Sequence, residues 1–205
     1  MSGIAPARRE AYAILRAVES GRADLPSAVA RARDRLSDPR DRALASEIAA
    51  GTLRWRAALD AVISAFTRKD VGRLDAEVLE VLRLGTYQLL HLERVPPSAV
   101  VHDAVEQVRA SGKRSASGLV NAVLRRVDRE RHALGLPVRP ADPASDPAGA
   151  LDYLAITLSH PRWLAERWLA RFGFDATEAW LRFNNQPAPL TLRANTLSIT
   201  RDELA

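Results

Sequence analysis

The sequence predicts an all-α protein: a bundle of about seven helices, then a small helical extension and a truncated strand. Three observations carry this. Apolar residues recur at three- and four-residue spacing in one segment after another from Ala7 to Val127. Segments open on Asp, Ser or Pro and several close on Gly, the start and stop signals of helices. Nothing before Arg131 alternates apolar and polar residues like a half-buried strand.

Taken in order, Ala7 to Ser20 places Ala11, Ile14, Leu15 and Val18 on one face, and Gly21 stops it. Leu25 to Leu36 repeats the pattern with Leu25, Val29, Ala32 and Leu36. Asp38-Pro39 is an N-cap acid followed by proline at the first helical position, where its missing N–H costs nothing. That helix runs toward Gly51, and Leu53 to Phe66 continues with Leu59, Val62 and Ile63. Asp75 caps a helix containing Val78, Leu82, Leu89 and Leu90. Pro96-Pro97-Ser98 opens the next, which Gly112 closes, and Ser115 or Ser117 opens the last, with Val120, Val123, Leu124 and Val127. Gly51 and Gly85 lie inside helical patterns, where glycine costs roughly 1 kcal/mol against alanine. At Gly85, flanked by apolar residues, this marks close packing of two backbones.

Residues 133–150 carry Pro137, Pro140, Pro143 and Pro147, a spacing that no helix or strand tolerates, so they read as a linker or long surface loop. The chain thus divides into 1–132, a helical domain, 133–150, and a smaller unit, 151–205. In that unit Pro161 to Phe172 and Ala176 to Asn184 read as helices, with Trp163, Trp168 and Trp180 expected in its core. Leu190-Thr191-Leu192-Arg193-Ala194 alternates like a strand, and Thr200 with Glu203 has capping-box spacing.

Composition narrows the chemistry. There is no cysteine, which excludes disulfides, Cys-ligated zinc and thiol nucleophiles from these residues. The four histidines, His91, His102, His132 and His160, are scattered without metal-ligand spacing, so no metal is expected. Ser111-Gly112-Lys113-Arg114-Ser115 fails the phosphate-loop pattern, because Gln107 and Arg114 stand where Gly and Ser/Thr are needed. No nucleophile elbow or dinucleotide fingerprint occurs, and no catalytic residue is assigned. No apolar run reaches the span of a bilayer, and the N-terminus MSGIAPARRE has no signal-peptide core, so the expected location is cytoplasmic, with no membrane partner.

The formal net charge is +5, and its positive excess is carried entirely by the residues before His132. Such asymmetry points to an anionic partner, most often nucleic acid. The candidate contacts are Arg8 and Arg9 at the entry to the first helix, Arg54 and Arg56 around Trp55, and Lys113-Arg114 before the last helix. On that helix Asn121, Arg125 and Arg129 are spaced by four on one face, with Arg126 beside them. Guanidinium groups pair bidentately with phosphate oxygens, which suits them to such surfaces. Each cluster taken singly also fits a solvated helix face.

Four blocks carry a resemblance. Asp41-Arg-Ala-Leu-Ala-Ser-Glu-Ile-Ala-Ala-Gly-Thr-Leu-Arg54, Val81-Leu-Arg-Leu-Gly-Thr-Tyr-Gln-Leu-Leu90, Arg94-Val-Pro-Pro-Ser-Ala-Val100 and Gly118-Leu-Val-Asn-Ala-Val-Leu-Arg-Arg126 resemble, in order, the signature stretches of NusB-like domains. Gly51, Gly85, Gln88 and Asn121 stand within these blocks as structural signatures. Ser159-His-Pro-Arg-Trp163 and Leu192-Arg-Ala-Asn-Thr196 narrow the likeness to the N-terminal region of bacterial Sun/Fmu (RsmB-type) 16S ribosomal RNA cytosine-C5 methyltransferases.

The resemblance implies an RNA-binding helical domain that positions 16S ribosomal RNA by phosphate contacts, a connecting subdomain, and a further domain that binds S-adenosylmethionine and uses two cysteines. No cofactor is expected in the present residues, and no activity from them alone. It also implies that Leu190 to Ala205 is the first strand and helix cap of the connecting subdomain, expected from about Pro189 to be disordered or to borrow a neighbour. Self-association through the bundle or that strand is a second expected contact. The other readings are a stand-alone antitermination factor of the NusB type and a helical module that binds protein.

Overall fold

The structure, a computed structural model, describes residues 3–187 and 193–204. Seven α-helices precede the proline-rich segment: α1 (Pro6–Glu19), α2 (Leu25–Arg35), α3 (Pro39–Arg54), α4 (Arg56–Thr67), α5 (Ala76–His91), α6 (Pro97–Ala110) and α7 (Ser117–Arg129). Their starts follow the sequence signals. Asp24 and Asp38 accept backbone N–H bonds from Ser27 and Arg40, each at 2.8 Å, and proline sits in the first turn of α1, α2, α3 and α6. Asp75 stands at the N-cap of α5 but makes no side-chain cap bond. No described helix is long and apolar enough to cross a membrane.

Helix α5 is the axis of the bundle. Every residue from Val78 to Leu89 is buried. One face joins Val62, Ile63, Val100, Val108, Val120, Leu124 and Val127 of α4, α6 and α7. The other, through Leu84, joins Ala11, Ile14, Leu15, Ala32 and Ile48 of α1, α2 and α3. A helix buried all round cannot turn its polar residues to water, so Glu80, Arg83 and Gln88 take internal partners, while the Thr86 hydroxyl is left without one. Arg83 reaches Asp60 with Nε and Glu80 with Nη1, both at 2.6 Å. Burial pushes the Glu80 carboxyl above its ordinary range, against the pull of Arg83. Gln88 donates to Leu84 O at 2.9 Å and accepts from Arg8 Nε at 2.7 Å. Arg8 Nη1 then meets Asp103 at 2.7 Å, and the Ala5 N–H donates to the same carboxylate oxygen at 3.1 Å. This network ties the entry of α1 to α5 and α6.

The two signature glycines have steric reasons. A Cβ at Gly85 would lie 2.7 Å from a methyl of Leu124, so α7 packs directly on the α5 backbone. A Cβ at Gly51 would lie 1.9 Å from Cζ of Tyr87, whose hydroxyl donates to Glu47 at 2.6 Å. Tyr87 also stacks on His91 at 5.0 Å, and His91 on Trp55 at 4.7 Å.

After α7, the proline-rich segment is a strap rather than a free linker. Thr157 Oγ1 donates to Pro137 O at 2.6 Å. Arg139 pairs with Glu178 and Asp175, both at 2.9 Å, and lies over the Phe174 ring. Helix α8 (Pro147–Asp152) starts within this segment, with Asp146 accepting from Gly149 N–H at 2.9 Å, and runs into a π-helical turn, Tyr153–Thr157. Then come α9 (Arg162–Phe172) and α10 (Phe174–Asn185), and Tyr153, Leu154, Ala155, Leu158, Ala165 and Leu181 form a small core. Trp168 packs against that core, but Trp163 and Trp180 are 64% and 57% exposed. The expectation that all three are core is corrected: the core is too small to enclose more than one large indole.

The unit docks on α4, where Ser159, at a φ of 55°, turns its Oγ to accept the Ala57 N–H at 2.9 Å. Residues 193–200 are irregular, and Thr200 and Glu203 form the reciprocal capping box at the start of α11 (Arg201–Leu204). Among the described residues there is no strand. Of the strand expected over Leu190 to Ala194, residues 190–192 lie outside the described residues and 193–194 are irregular. Of the tail expected from Pro189 to be disordered or to borrow a neighbour, 189–192 and 205 lie outside them, and 193–204 is the irregular stretch and α11.

Three outcomes are expected. Gly51→Ala evicts the Tyr87 ring and should cost about 1–3 kcal/mol in urea unfolding, against a helix-propensity gain of roughly 1 kcal/mol. Asp103→Ala leaves the Arg8 charge buried and unpaired, a loss of about 3–5 kcal/mol that Arg8→Met with Asp103→Leu should largely recover. His91 keeps an exposed edge, but desolvation of its ring lowers the pKa from 6.5 to about 4. The unfolded chain then binds the extra proton first, so this contribution is complete above pH 6.5 and fades as pH falls toward 4. An NMR titration that placed His91 near 6.5 would show that its ring is not held in the stack.

Candidate nucleic-acid interface

The fold sorts the arginines into internal and external sets. Arg8 belongs inside: its side chain is 11% exposed, with Nε on Gln88 and Nη1 on Asp103. With two of its nitrogens so engaged and the side chain enclosed, the expectation that it contacts RNA gives way to a structural role. Its neighbour Arg9 is outside, 60% exposed and 3.8 Å from Glu10. Arg56 forms a two-pronged pair with Glu19, at 2.6 and 3.1 Å. Arg54 is half-buried at the end of α3, without an acidic partner.

The α7 residues do share a face. Arg125 Nε donates to Asn121 Oδ1 at 3.0 Å, one helical turn apart. This fixes the guanidinium through one nitrogen and leaves its two terminal nitrogens free. Arg129, 69% exposed, and Arg126 both pair with Glu130, each at 3.0 Å. Those hydrogen bonds hold the Glu130 carboxyl below its ordinary range. One carboxylate against two guanidiniums leaves the end of α7 cationic. Arg126 also covers the Phe66 ring, at 4.4 Å, and so serves packing as well as charge.

Beside this row lies a groove between α6 and α7, about 430 Å³, where Arg109, Arg125, Asn121 and His102 surround Val101 and Val105. Arg109 was not singled out by sequence; it pairs with Glu106 at 2.7 Å and also lines the adjoining depression with Arg114 and the N-terminal Ile4. Arg114 is exposed with no ion pair, while Lys113 pairs with Asp75 at 3.2 Å. Arg114, Arg109, Arg125 and Arg129 therefore follow one edge of the bundle, along the end of α6 and the length of α7. Glu106 and Asp128 interrupt it, which lowers the local charge without cancelling it. Sequence also passed over Arg22, Arg31 and Arg35, exposed around α2. The only signal for the last two was the run Arg31-Ala-Arg-Asp-Arg35, which reads equally as a solvated face.

No cluster of three potential metal ligands occurs among the described residues. They also contain no strand–turn–helix phosphate cradle. The arrangement can hold anions by oriented guanidinium groups, and it offers no thiol for covalent chemistry.

Comparison with known proteins gives these features a context. Residues 160–205 match the Methyltr_RsmF/B-like, ferredoxin-like domain. A probable ribosomal RNA small subunit methyltransferase B of Bacillus subtilis is 37% identical over 169 residues, covering 82% of this chain and 35% of the relative. The ribosomal RNA small subunit methyltransferase B of Pseudomonas putida is 35% identical over 195 residues, covering 95% of this chain and 41% of the relative. The chain thus spans about two-fifths of the length of the curated relatives it matches. The solved structure of T. maritima NusB superposes with a TM-score of 0.56 at 23% identity, covering 63% of this chain and 94% of that one, a likeness of fold. Residues 5–129, which span all seven helices of the bundle, match the NusB family, and with more than half its length so matched the chain belongs to that family.

Proposed function

We propose that this chain is the RNA-holding part of a small-subunit ribosomal RNA methyltransferase of the cytosine-C5, S-adenosylmethionine-dependent kind, acting in the cytoplasm. The observation that carries the reading is the order of two matches in one chain: a NusB bundle at 5–129, then an RsmF/B-type ferredoxin-like stretch at 160–205. A stand-alone antitermination factor has no use for the second. The exposed guanidinium row on α7 supplies the means of holding RNA.

The division of labour follows from chemistry. C5 of cytosine becomes nucleophilic enough to take a methyl group only after a thiolate adds at C6, and the base must leave its stack to be reached. This chain has no cysteine and, among its described residues, no cradle for S-adenosylmethionine, so no step of that transfer is assigned to it. What its residues can do is fix the register of the RNA. Arg125, held by Asn121, and Arg129 present forked donors to phosphate oxygens. Such contacts position the strand and carry no base identity. Ser159 on the first turn of α4, with the Arg139 strap, fixes the second unit against the bundle, so that RNA held on one is placed relative to whatever follows the other.

The test is a salt titration of binding to a small-subunit ribosomal RNA hairpin. Log Kd should rise steeply with log salt, and Arg125→Gln with Arg129→Gln should reduce the slope by about 0.7–0.9 per lost contact. Arg8→Gln should lower stability while leaving that slope unchanged. Absence of measurable binding at about 50 mM salt would end this reading.

A further inference from the structure

Helices α1 and α2 lie side by side after the turn at Gly21, and between them runs a groove of about 230 Å³. Its floor is small and apolar: Ile14, Ala17 and Ala28, with Ile14 and Ala28 fully buried. Its walls are Arg22, Arg31 and Arg35, all exposed. No carboxylate lines it.

The three guanidiniums are held in the same way, each by its Nε alone. Arg22 donates to Ser20 Oγ at 2.8 Å, Arg31 to Ser27 O at 3.2 Å, and Arg35 to Glu10 Oε2 at 2.8 Å. A guanidinium has five N–H donors, so tethering at Nε leaves both terminal nitrogens, with four donors, for a ligand. Glu10 is the only acid in the set. It is 7% exposed, and its other oxygen lies 3.8 Å from Arg9, so one buried carboxylate orients Arg35 and attracts a second exposed cation. Of the other acids at α2, Asp24 is engaged in capping its first turn, and Asp34, on the helix itself, is exposed and does not line the groove. The groove is therefore a cationic channel whose donors are oriented before any ligand arrives.

Its floor identifies the ligand class. There is no aromatic ring on which a base could stack and no side-chain amide to read a base edge. Alanines permit close approach, and forked donors from α2 and from the turn before it suit tetrahedral phosphate oxygens. We infer that the α1–α2 groove is a second phosphate-binding track for the sugar–phosphate backbone of RNA, apart from the α6–α7 edge. This rests on the reading of the chain as RNA-holding and adds a site to it.

The experiment uses Arg22→Gln with Arg31→Gln, two residues that have no acidic partner, and a thermal melt confirms that the fold is kept. Binding to two single-stranded RNAs of unrelated sequence should weaken by the same factor, with the salt slope reduced by about 1.4 for two lost contacts. In parallel, inorganic pyrophosphate titrated into the wild-type chain should shift the amide resonances of Ala17 and Ala28 and the Arg Nε signals of the groove, and should not do so in the variant. An unchanged slope in a variant that still binds RNA overturns the groove and leaves the proposed function standing. If the wild-type chain binds no RNA, the proposed function falls, and silence of the groove resonances toward pyrophosphate overturns the groove as well.

Discussion

The structure depends on one constraint: α5 is buried on every side, yet it carries Glu80, Arg83, Thr86 and Gln88. A polar group removed from water must be paired or it costs several kcal/mol; the Thr86 hydroxyl goes without a partner, and for the larger groups neighbouring helices bring partners to fixed places along α5. Asp60 of α4 meets Arg83, and Arg8 of α1, itself anchored by Asp103 of α6, meets Gln88. These contacts set the register of three helices on the axis. The glycines set their distance, Gly85 by admitting Leu124 and Gly51 by admitting Tyr87. Apolar packing supplies most of the stabilisation, but it is nondirectional, and the polar pairs decide which of many greasy arrangements is adopted.

The same constraint divides the charge. Arginines drawn inward become part of the frame, and those left outside become available to a ligand. Several of the outer ones are still oriented, because a local acceptor takes Nε: Asn121 for Arg125, Ser20 for Arg22, Glu10 for Arg35. Orientation before binding reduces the side-chain entropy lost when a phosphate arrives. A surface of modest net charge can in this way present directed donors, which matters more for phosphate than the total count of cations.

The unit after the bundle is small and would be marginal alone, with a core of six buried residues. Two devices hold it. The proline-rich strap is pinned by Arg139 to α10 and by Pro137 to Thr157, and prolines lower the entropy it loses on being ordered. Ser159 caps α4, satisfying an N–H that its own N-cap, Trp55, leaves open. A helix end in the bundle is thereby completed by a residue 102 positions later in the chain.

The sequence by itself determined the helices. Their spacing, caps and breaks rest on interactions within three or four residues, so Asp38-Pro39, Gly112 and the capping box at Thr200 were readable without a fold. The four signature blocks likewise made the bundle family legible. The tertiary structure alone decided which charges face water. Arg8 and Arg129 are alike in sequence, each on a helix beside another arginine or near an acid; one is enclosed by a partner 95 residues away and the other lies at the surface, paired with its neighbour Glu130. The indoles divide in the same manner, Trp168 inward and Trp163 and Trp180 outward. The groove walled by Arg22, Arg31 and Arg35 exists only because α1 supplies part of its floor and the anchoring Glu10. Helix formation is a local equilibrium, whereas the pairing of a charge is settled by whatever distant residue the packing brings within about 3 Å.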